Sequence, residues 1–230
     1  KLTPIHRFQT RFALHGGPKF SPDGRFVYFA SRDGWISKYD LWNMTLIAEV
    51  RAGINTRNAA VSADGKWIAV ANYLPHTLVI LDADLKLVKV LPVDDKDHKT
   101  TSRVSAVYDA APRQSFVAAL KDVNPQRSQL DDYLDDFFFT QGYDEVMGAS
   151  REAGKGQVIN LDARKKIADL QLPGMPHLGS GITWQWQGRR VMATPNLNEG
   201  VLSVIDTQNW QTVRNIKTLG PGFFLRSHEK

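Results

Sequence analysis

Histidine and arginine recur at one position of a repeating unit in this 230-residue chain. Each stands about eight to eleven residues before a hairpin turn and is predicted to lie in the loop that leads into the first strand of its unit. The residues at this position are His15, Arg57, Arg103, His177 and, at the end of the chain, His228. Equivalent positions of a repeat fold converge on one surface. Neutral imidazole can ligate iron and guanidinium pairs with carboxylates, so this set predicts a site for a metal-centred ligand that bears carboxylates.

Two further features would complete such a site. Tyr73 ends another predicted strand and would supply a phenolic hydroxyl. Glycines follow two of the histidines, at Gly16, Gly17, Gly179 and Gly181, and would let a flat macrocycle lie close to the backbone. A single histidine near a turn usually makes only a local hydrogen bond. The pattern alone therefore leaves both a shared ligand site and a set of unrelated loop residues open.

Other chemistry-bearing residues are predicted to lie outside this site. Three histidines fall outside the register and are expected to be solvated: His6, His76 and His98. Phe137–Phe139 is predicted to be a core strand rather than a cofactor wall. Asp131-Asp132 with Asp135-Asp136 could suggest a cation site, but four carboxylates in a polar loop favour a solvated acidic stretch.

The composition narrows the classes of partner. A net charge of +5 and a pI near 9.4 favour acidic partners, and the absence of an arginine-rich stripe or RNA-stacking motif argues against nucleic acid. The chain has no cysteine, which excludes disulfides, thiolate metal sites and covalent haem attachment through C-x-x-C-H within it. No apolar run approaches the roughly 18 residues of a membrane span, so no membrane-spanning segment is expected.

The repeating unit has the pattern of short antiparallel strands. Hairpins with polar turns lie at Phe20–Tyr28, Val61–Ala69 and, more weakly, Ile182–Met192. A strand ending in an aspartate follows each of four hairpins, at Asp40, Asp82, Asp162 and Asp206. Four strands in each unit of roughly 40–45 residues, alternating with period two, are typical of an all-β protein of the β-propeller class.

One unit is shorter than the others. Only residues 121–136 separate the hairpin ending at Leu120 from the strand at Phe137, and they are polar and turn-rich. Either this blade lacks its outer strands or part of the chain is missing there. About five units are recognisable in residues 1–230. Because a propeller must close to bury its sheet edges, the chain is predicted to be part of a larger closed propeller.

Several segments resemble a known family. Arg32–Trp42, Arg51–Arg57 and Ala71–Pro75 resemble the haem d1 domain of the cytochrome cd1 nitrite reductase family. Gly174–Trp184 and Gly220–Glu229 are more similar to the dihydro-haem d1 dehydrogenase branch of that family. The resemblance implies an eight-bladed propeller that holds haem d1 or dihydro-haem d1 non-covalently on its axis. It also implies a preceding c-type cytochrome domain, with its haem c, that lies outside this chain.

The resemblance also implies roles for individual residues. His15 matches the proximal iron ligand and would serve as an axial ligand or a nearby general base. Arg57 matches a propionate-binding arginine, Tyr73 matches a tyrosine of the haem pocket, and Arg103 would be a less certain carboxylate clamp. His177 matches one of two distal histidines and is expected to act as an iron ligand. His15, His177 and Tyr73 form the expected catalytic set, whereas His228 joins the cofactor-binding set on its register alone.

Two departures from the family pattern bear on the reaction. Phe137–Phe139 stands where the reductase has its second distal histidine, and Ser180 replaces an arginine. Both changes disfavour nitrite reduction, which relies on paired acids to protonate nitrite. The expected activity is therefore that of an oxidoreductase that oxidises a propionate of dihydro-haem d1 to the acrylate of haem d1.

Three alternative functions remain at this point. They are a non-catalytic haem d1 carrier or assembly propeller, a cytochrome cd1 nitrite reductase, and a plain interaction propeller with an incidentally basic channel. The resemblance implies a periplasmic location, a tetrapyrrole substrate and a periplasmic electron acceptor. It further implies that nitrite reductase would receive the finished haem d1.

Overall fold

The computed structural model describes residues 3–95, 97–123, 134–150 and 155–227. The chain divides into two compact units, Lys1–Val123 and Asn124–Lys230. Both units are built from antiparallel sheets whose strands follow one another in chain order. No helix among the residues described is long and apolar enough to cross a membrane.

The first unit contains two four-stranded sheets and one two-stranded sheet. The first sheet comprises β1 (Lys19–Phe20), β2 (Phe26–Ala30), β3 (Trp35–Asp40) and β4 (Thr45–Arg51). The second comprises β5 (Asn55–Val61), β6 (Trp67–Leu74), β7 (Thr77–Asp82) and β8 (Leu87–Pro92). The two-stranded sheet pairs β9 (Val104–Ala110) with β10 (Ser115–Leu120) across a 3-10 turn at Ala111–Arg113.

The second unit contains two four-stranded sheets. The first comprises β11 (Asp136–Phe139), β12 (Glu145–Ser150), β13 (Lys155–Asn160) and β14 (Lys165–Gln171). The second comprises β15 (Ile182–Trp186), β16 (Arg189–Pro195), β17 (Val201–Asp206) and β18 (Gln211–Lys217). A 3-10 turn at Leu178–Ser180 leads into β15.

These sheets confirm the predicted all-β propeller class. Each four-stranded sheet is an antiparallel meander, which is the blade of a propeller. The shorter unit also has two strands where the other blades have four, counting only described residues. Period-two alternation buries one face of the strands, and the buried side chains form separate clusters such as Tyr28, Ile36, Ile68 and Leu81 in the first unit.

The aspartates that end the third strands cap the turns that follow. Asp40 accepts hydrogen bonds from the backbone N–H groups of Trp42 and Asn43 at 2.9 and 3.2 Å. Asp82 and Asp206 accept equivalent bonds in their own turns. In the first sheet of the second unit, the prediction that the third strand ends at Asp162 is wrong. There β13 ends at Asn160, whose side-chain oxygen accepts the N–H groups of Asp162 and Ala163.

Candidate functional site

His15 lies in the loop before β1, as predicted, and its backbone is tied to the first blade. Its N–H donates to the Ala30 carbonyl at 2.9 Å, and Leu14 forms an isolated bridge with Ser31. The Nδ1 atom of the half-buried ring contacts the backbone carbonyl of Arg57. Because a carbonyl only accepts, Nδ1 carries the hydrogen and Nε2 carries the lone pair that a metal would use.

Arg57 lies within β5 rather than in the loop before it, so the predicted register is wrong at this residue. Thr56 pairs with Asn72 and Asn58 pairs with Ala71, which leaves Arg57 as an extra residue at a β-bulge. A bulge re-aims a side chain and frees its backbone groups from the ladder. The carbonyl that contacts His15 is one of these freed groups.

Tyr73 lies next to Arg57 because it is the extra residue at a second, adjacent irregularity, on the strand opposite. Asn55 pairs with Leu74 and Thr56 with Asn72, so Tyr73 also has no ladder partner. The guanidinium carbon of Arg57 lies 4.1 Å from the centre of the Tyr73 ring. Among the described residues this guanidinium makes no hydrogen bond or ion pair, so its five N–H donors suit a carboxylate ligand.

Arg103 lies directly before β9, as predicted. Its guanidinium carbon lies 5.2 Å from the centre of the Tyr73 ring, which Arg57 also contacts. Its side chain differs from that of Arg57 in having an acidic protein partner. Nε and Nη2 donate to both carboxylate oxygens of Asp122 at 2.5 to 3.1 Å. Asp122 also accepts the Arg103 backbone N–H, and these bonds to Arg103 hold the pKa of Asp122 below its usual range. This pairing makes Arg103 a weaker candidate than Arg57 for clamping a ligand carboxylate.

The structure gives a reason for glycine at position 16 that the sequence pattern did not reveal. Its φ is +82°, and a Cβ at this position would lie 2.6 Å from the Cβ of Asn58. Asn58 is itself buried and bonds both backbone groups of Val107 at 2.9 and 3.1 Å. Packing of the His15 loop on β5 therefore accounts for glycine at this position without a macrocycle.

The first unit thus fits a metal-centred ligand with carboxylates. It presents an imidazole whose Nδ1 is oriented by a carbonyl, a guanidinium with no acidic protein partner in the described part of the chain, and a phenol beside it. These groups are His15, Arg57 and Tyr73. The donor set is imidazole nitrogen and guanidinium, which suits iron and propionate, respectively.

His177 lies in the second unit, in the approach to β15, as predicted. Its backbone N–H donates to the Pro195 carbonyl at 3.0 Å, and Ser180 N–H returns to the His177 carbonyl at 3.2 Å. Leu178, which follows it, is fully buried among residues such as Met147 and Met192. The 3-10 turn is therefore anchored in the core, and it holds the histidine at the start of the strand.

Both ring nitrogens of His177 contact protein oxygens. Nδ1 lies 2.7 Å from the Phe223 carbonyl and 2.9 Å from the Ser180 hydroxyl. Nε2 lies 3.4 Å from Oδ2 of Asp136. The rings of Phe223 and Phe224 meet the imidazole edge-on, each with its centre 5.8 Å away. The ring is thus held at both nitrogens, and either iron ligation or proton transfer by Nε2 would require that nitrogen to turn away from Asp136.

Asp136 contacts the ring of His177, and the sequence analysis did not place it there. Asp135 and Asp136 are 5% and 8% exposed, so the prediction of a solvated acidic stretch is wrong for these two residues. Asp131 and Asp132 lie outside the described residues. The signal available in the sequence was position, because Asp136 opens a first strand as the register residues do.

Two buried asparagines that hold the loops were also missed. Asn72 donates to the Ala52 carbonyl at 2.9 Å and accepts from the Thr56 hydroxyl at 2.6 Å. Asn196 accepts the N–H groups of Met175, Asn198 and Glu199 at 2.9 to 3.2 Å and donates to the Pro173 carbonyl. Each lies near the end of a second strand, where it fixes the loop that enters its own blade.

The remaining predicted residues have simpler outcomes. His228 lies outside the described residues. His6 and His98 are exposed, as predicted, whereas His76 is half-buried and its Nδ1 lies 2.7 Å from the Thr101 hydroxyl. Phe137 is 2% exposed, which confirms the predicted core strand.

The antiparallel blades, together with an imidazole and a guanidinium that has no acidic partner among the described residues of the first unit, define the class of β-propellers suited to an iron tetrapyrrole. The sequence matches the family described as "Cytochrome D1 heme domain" over residues 1–230, and the chain belongs to that family.

Comparisons with individual proteins agree with this assignment. The chain is 57% identical to dihydro-heme d1 dehydrogenase of Pseudomonas aeruginosa, over 99% of this chain and 49% of that protein. A solved structure of dihydro-heme d1 dehydrogenase NirN in complex with DHE is 58% identical, with a TM-score of 0.92, over 98% of this chain and 52% of that chain. Nitrite reductase of Stutzerimonas stutzeri is 25% identical over 96% of this chain and 46% of its own length. The chain thus spans about half the length of these relatives.

Proposed function

We propose that this chain is the haem d1-binding part of an oxidoreductase that converts dihydro-haem d1 to haem d1. The observation that carries the proposal is the 57% identity to a dihydro-heme d1 dehydrogenase along almost the whole chain. The nitrite reductase relative is only 25% identical over a similar share of the chain. This difference supports the dehydrogenase over the reductase.

The reaction needs bases for two protons and an acceptor for two electrons. A –CH2–CH2–COO⁻ side chain becomes –CH=CH–COO⁻, so two C–H bonds break and one C=C bond forms. The two electrons leave one at a time through a c-type haem that we propose to lie outside this chain, and an external electron acceptor reoxidises that haem after each transfer. The tetrapyrrole supplies the conjugated system and the iron when bound, and the protein positions the side chain and receives the protons.

In the first unit we assign three roles. Nε2 of His15 would hold the iron or act as a nearby base, because Nδ1 is occupied by the Arg57 carbonyl. The Arg57 guanidinium binds a carboxylate of the ligand non-covalently. Tyr73 supports that guanidinium through its ring, which lies 4.1 Å away.

In the second unit we assign His177 to the iron, as the resemblance implies. The residue is 9% exposed, and its ring contacts the Asp136 carboxylate and the Phe223 carbonyl. To hold the iron, Nε2 would exchange its contact with Asp136 for the metal.

The setting of the reaction is also a proposal. We place the protein in the periplasm, where c-type cytochromes mature, with nitrite reductase as the recipient of the finished haem d1. Mixing the loaded protein with haem d1-free nitrite reductase would test this transfer. Appearance of the reductase spectrum supports it, and retention of the tetrapyrrole by the donor contradicts it.

An optical titration of the full-length protein with dihydro-haem d1 and an electron acceptor tests the main proposal. Binding followed by conversion to the haem d1 spectrum supports the dehydrogenase. Binding without conversion contradicts it and indicates a carrier. His177→Ala should weaken binding of the macrocycle or change its ligand-field bands, whereas unchanged bands and affinity would remove His177 from the site.

A further inference from the structure

A cavity of about 330 Å³ lies in the second unit, at the ends of β11 and β15 that are far from His177. It is lined by the turn between β11 and β12, by β15 and the start of β16, and by the turn after β17. Asp136, which contacts His177, begins β11, whereas Thr140, which lines the cavity, follows the end of that strand. Four residues of strand span about 13 Å at about 3.3 Å per residue, so the cavity is separate from the surroundings of His177.

The first sheet of the second unit contributes two carboxylates to the cavity, those of Asp144 and Glu145. Hydrogen bonds from Thr140 hold the turn that carries them, because its N–H donates to the Glu145 carbonyl at 3.0 Å and its hydroxyl to Oδ1 of Asp144 at 2.9 Å. Glu145 is half-buried, and burial, followed by the negative charge of Asp144, raises the pKa of its carboxyl. Neither carboxylate forms an ion pair with a described side chain, so a cation beside them would offset their repulsion.

The second sheet of this unit contributes a guanidinium and an indole, those of Arg190 and Trp184. The backbone of Arg190 is fixed, because it pairs with Gln185 across the hairpin and its carbonyl accepts the N–H and the hydroxyl of Thr207 at 2.9 and 3.1 Å. Its side chain is exposed and makes no ion pair or hydrogen bond within the part of the chain that the structure describes. Trp184 is 38% exposed, so part of its ring is free to contact a ligand.

Unlike charges therefore line one cavity without neutralising each other. The carboxylates belong to one sheet and the guanidinium to the next, and no ion pair joins Arg190 to Asp144 or Glu145. A ligand that carries both an ammonium and a carboxylate would give each set a partner, since an ammonium has three donors and the fork of a guanidinium matches a carboxylate. The volume is at the lower end of the range of about 300–1,000 Å³ for small-molecule sites, which suits a small ligand.

We propose that this cavity binds a small zwitterion of the apolar α-amino acid class. The ammonium of the ligand lies beside the carboxylates of Asp144 and Glu145, and its carboxylate lies on the guanidinium of Arg190. Its apolar side chain packs against the exposed part of the Trp184 ring. The site does not depend on the proposed function, because none of these residues has a part in binding the tetrapyrrole.

Isothermal titration calorimetry of the full-length protein with L-leucine tests this site. Two analogues of leucine each keep one charge, because 3-methylbutylamine lacks the carboxylate and 4-methylpentanoate lacks the ammonium. Leucine should bind, and each analogue should bind at least about 10-fold more weakly, since each loses one set of charged hydrogen bonds. Absence of leucine binding, or equal affinity for leucine and either analogue, would overturn the inference.

Two variants of the full-length protein locate the binding in this cavity. Arg190→Gln and Glu145→Gln should each weaken leucine binding by about 10-fold or more, because each removes a charged partner of the ligand. Arg214→Gln and Glu199→Gln make the same changes at exposed positions that do not line the cavity, and they should leave the affinity unchanged. Equal losses of affinity in each variant and its control would show that leucine does not bind here and would overturn the inference.

Discussion

Two arginines lie beside Tyr73, and their different protein contacts give them different expected roles in ligand binding. Arg57 and Arg103 both approach the ring of Tyr73, at 4.1 and 5.2 Å. Arg103 is paired through two nitrogens with Asp122, whereas Arg57 has no acidic partner among described residues. A paired guanidinium must break an ion pair before it can bind a ligand. The two residues are therefore predicted to differ in binding although they look equivalent in sequence.

Arg57→Gln should weaken binding of dihydro-haem d1 by about 10- to 100-fold, because a charged hydrogen bond to a carboxylate contributes about 1.5–3 kcal/mol. Arg103→Gln should weaken it by less than about fivefold, since its guanidinium is already engaged by Asp122. The measurement is the dissociation constant from optical titration. Arg214→Gln, at an exposed position of β18, removes the same charge and controls for it. Equal losses in Arg57→Gln and Arg214→Gln would contradict a specific clamp.

At the scale of elements, Asp40, which ends β3, stabilises the first blade in a pH-dependent way. Two bonds from Arg25, at 2.8 and 3.1 Å, together with Asn43 and the N–H of Trp42, hold the pKa of Asp40 well below its usual range. A carboxylate with a lowered folded-state pKa contributes stability above its unfolded pKa of about 4. That contribution is lost as the pH falls towards the folded-state pKa.

Asp40→Asn should therefore reduce the free energy of unfolding at pH 7 and reduce its decline below about pH 4. Urea unfolding followed by tryptophan fluorescence at a series of pH values measures both effects. Asp97→Asn makes the same charge change at an exposed turn and serves as the control. Parallel pH profiles for the wild type and Asp40→Asn would show that Asp40 does not carry this dependence.

At the scale of elements, Asn196 holds the loop that carries His177. It is 3% exposed and accepts three backbone N–H groups from the loops on either side of it. Asn196→Ala should reduce the free energy of unfolding by about 3 kcal/mol or more, because buried backbone donors would lose their acceptor. Asn215 is exposed and accepts one hydrogen bond, from the Ser203 hydroxyl. Asn215→Ala should therefore reduce the free energy of unfolding by less than about 1 kcal/mol. Equal costs, measured by urea unfolding, would contradict the role of Asn196.

At the scale of the whole molecule, the net charge of +5 favours an anionic ligand. Attraction between exposed charges weakens with ionic strength, as the Debye length falls from about 10 Å at 0.1 M to 3 Å at 1 M. The dissociation constant for dihydro-haem d1 should therefore rise with added salt. The methyl ester of the ligand, which lacks carboxylates, provides the control and should bind with little salt dependence. Equal salt dependence for the acid and the ester would show that the carboxylates do not meet the basic groups.

The sequence by itself determined the blades and the approximate place of the site. Period-two alternation and polar turns repeat along the chain and are local, so β2, β6 and β16 could be predicted without tertiary information. His15, Arg103 and His177 were found from register, since each stands in the approach to a first strand. Family membership followed from longer motifs and was confirmed over residues 1–230.

The tertiary structure decided which side chains meet. The bulge that joins Arg57 to Tyr73 depends on how β5 pairs with β6, and a single strand sequence does not specify that irregularity. The pairing of Asp136 with His177 joins residues 41 positions apart, whose contact depends on the packing of β11 against the turn before β15. Contacts of this kind arise from strand pairing and from packing between separate elements, which alternation and spacing do not encode.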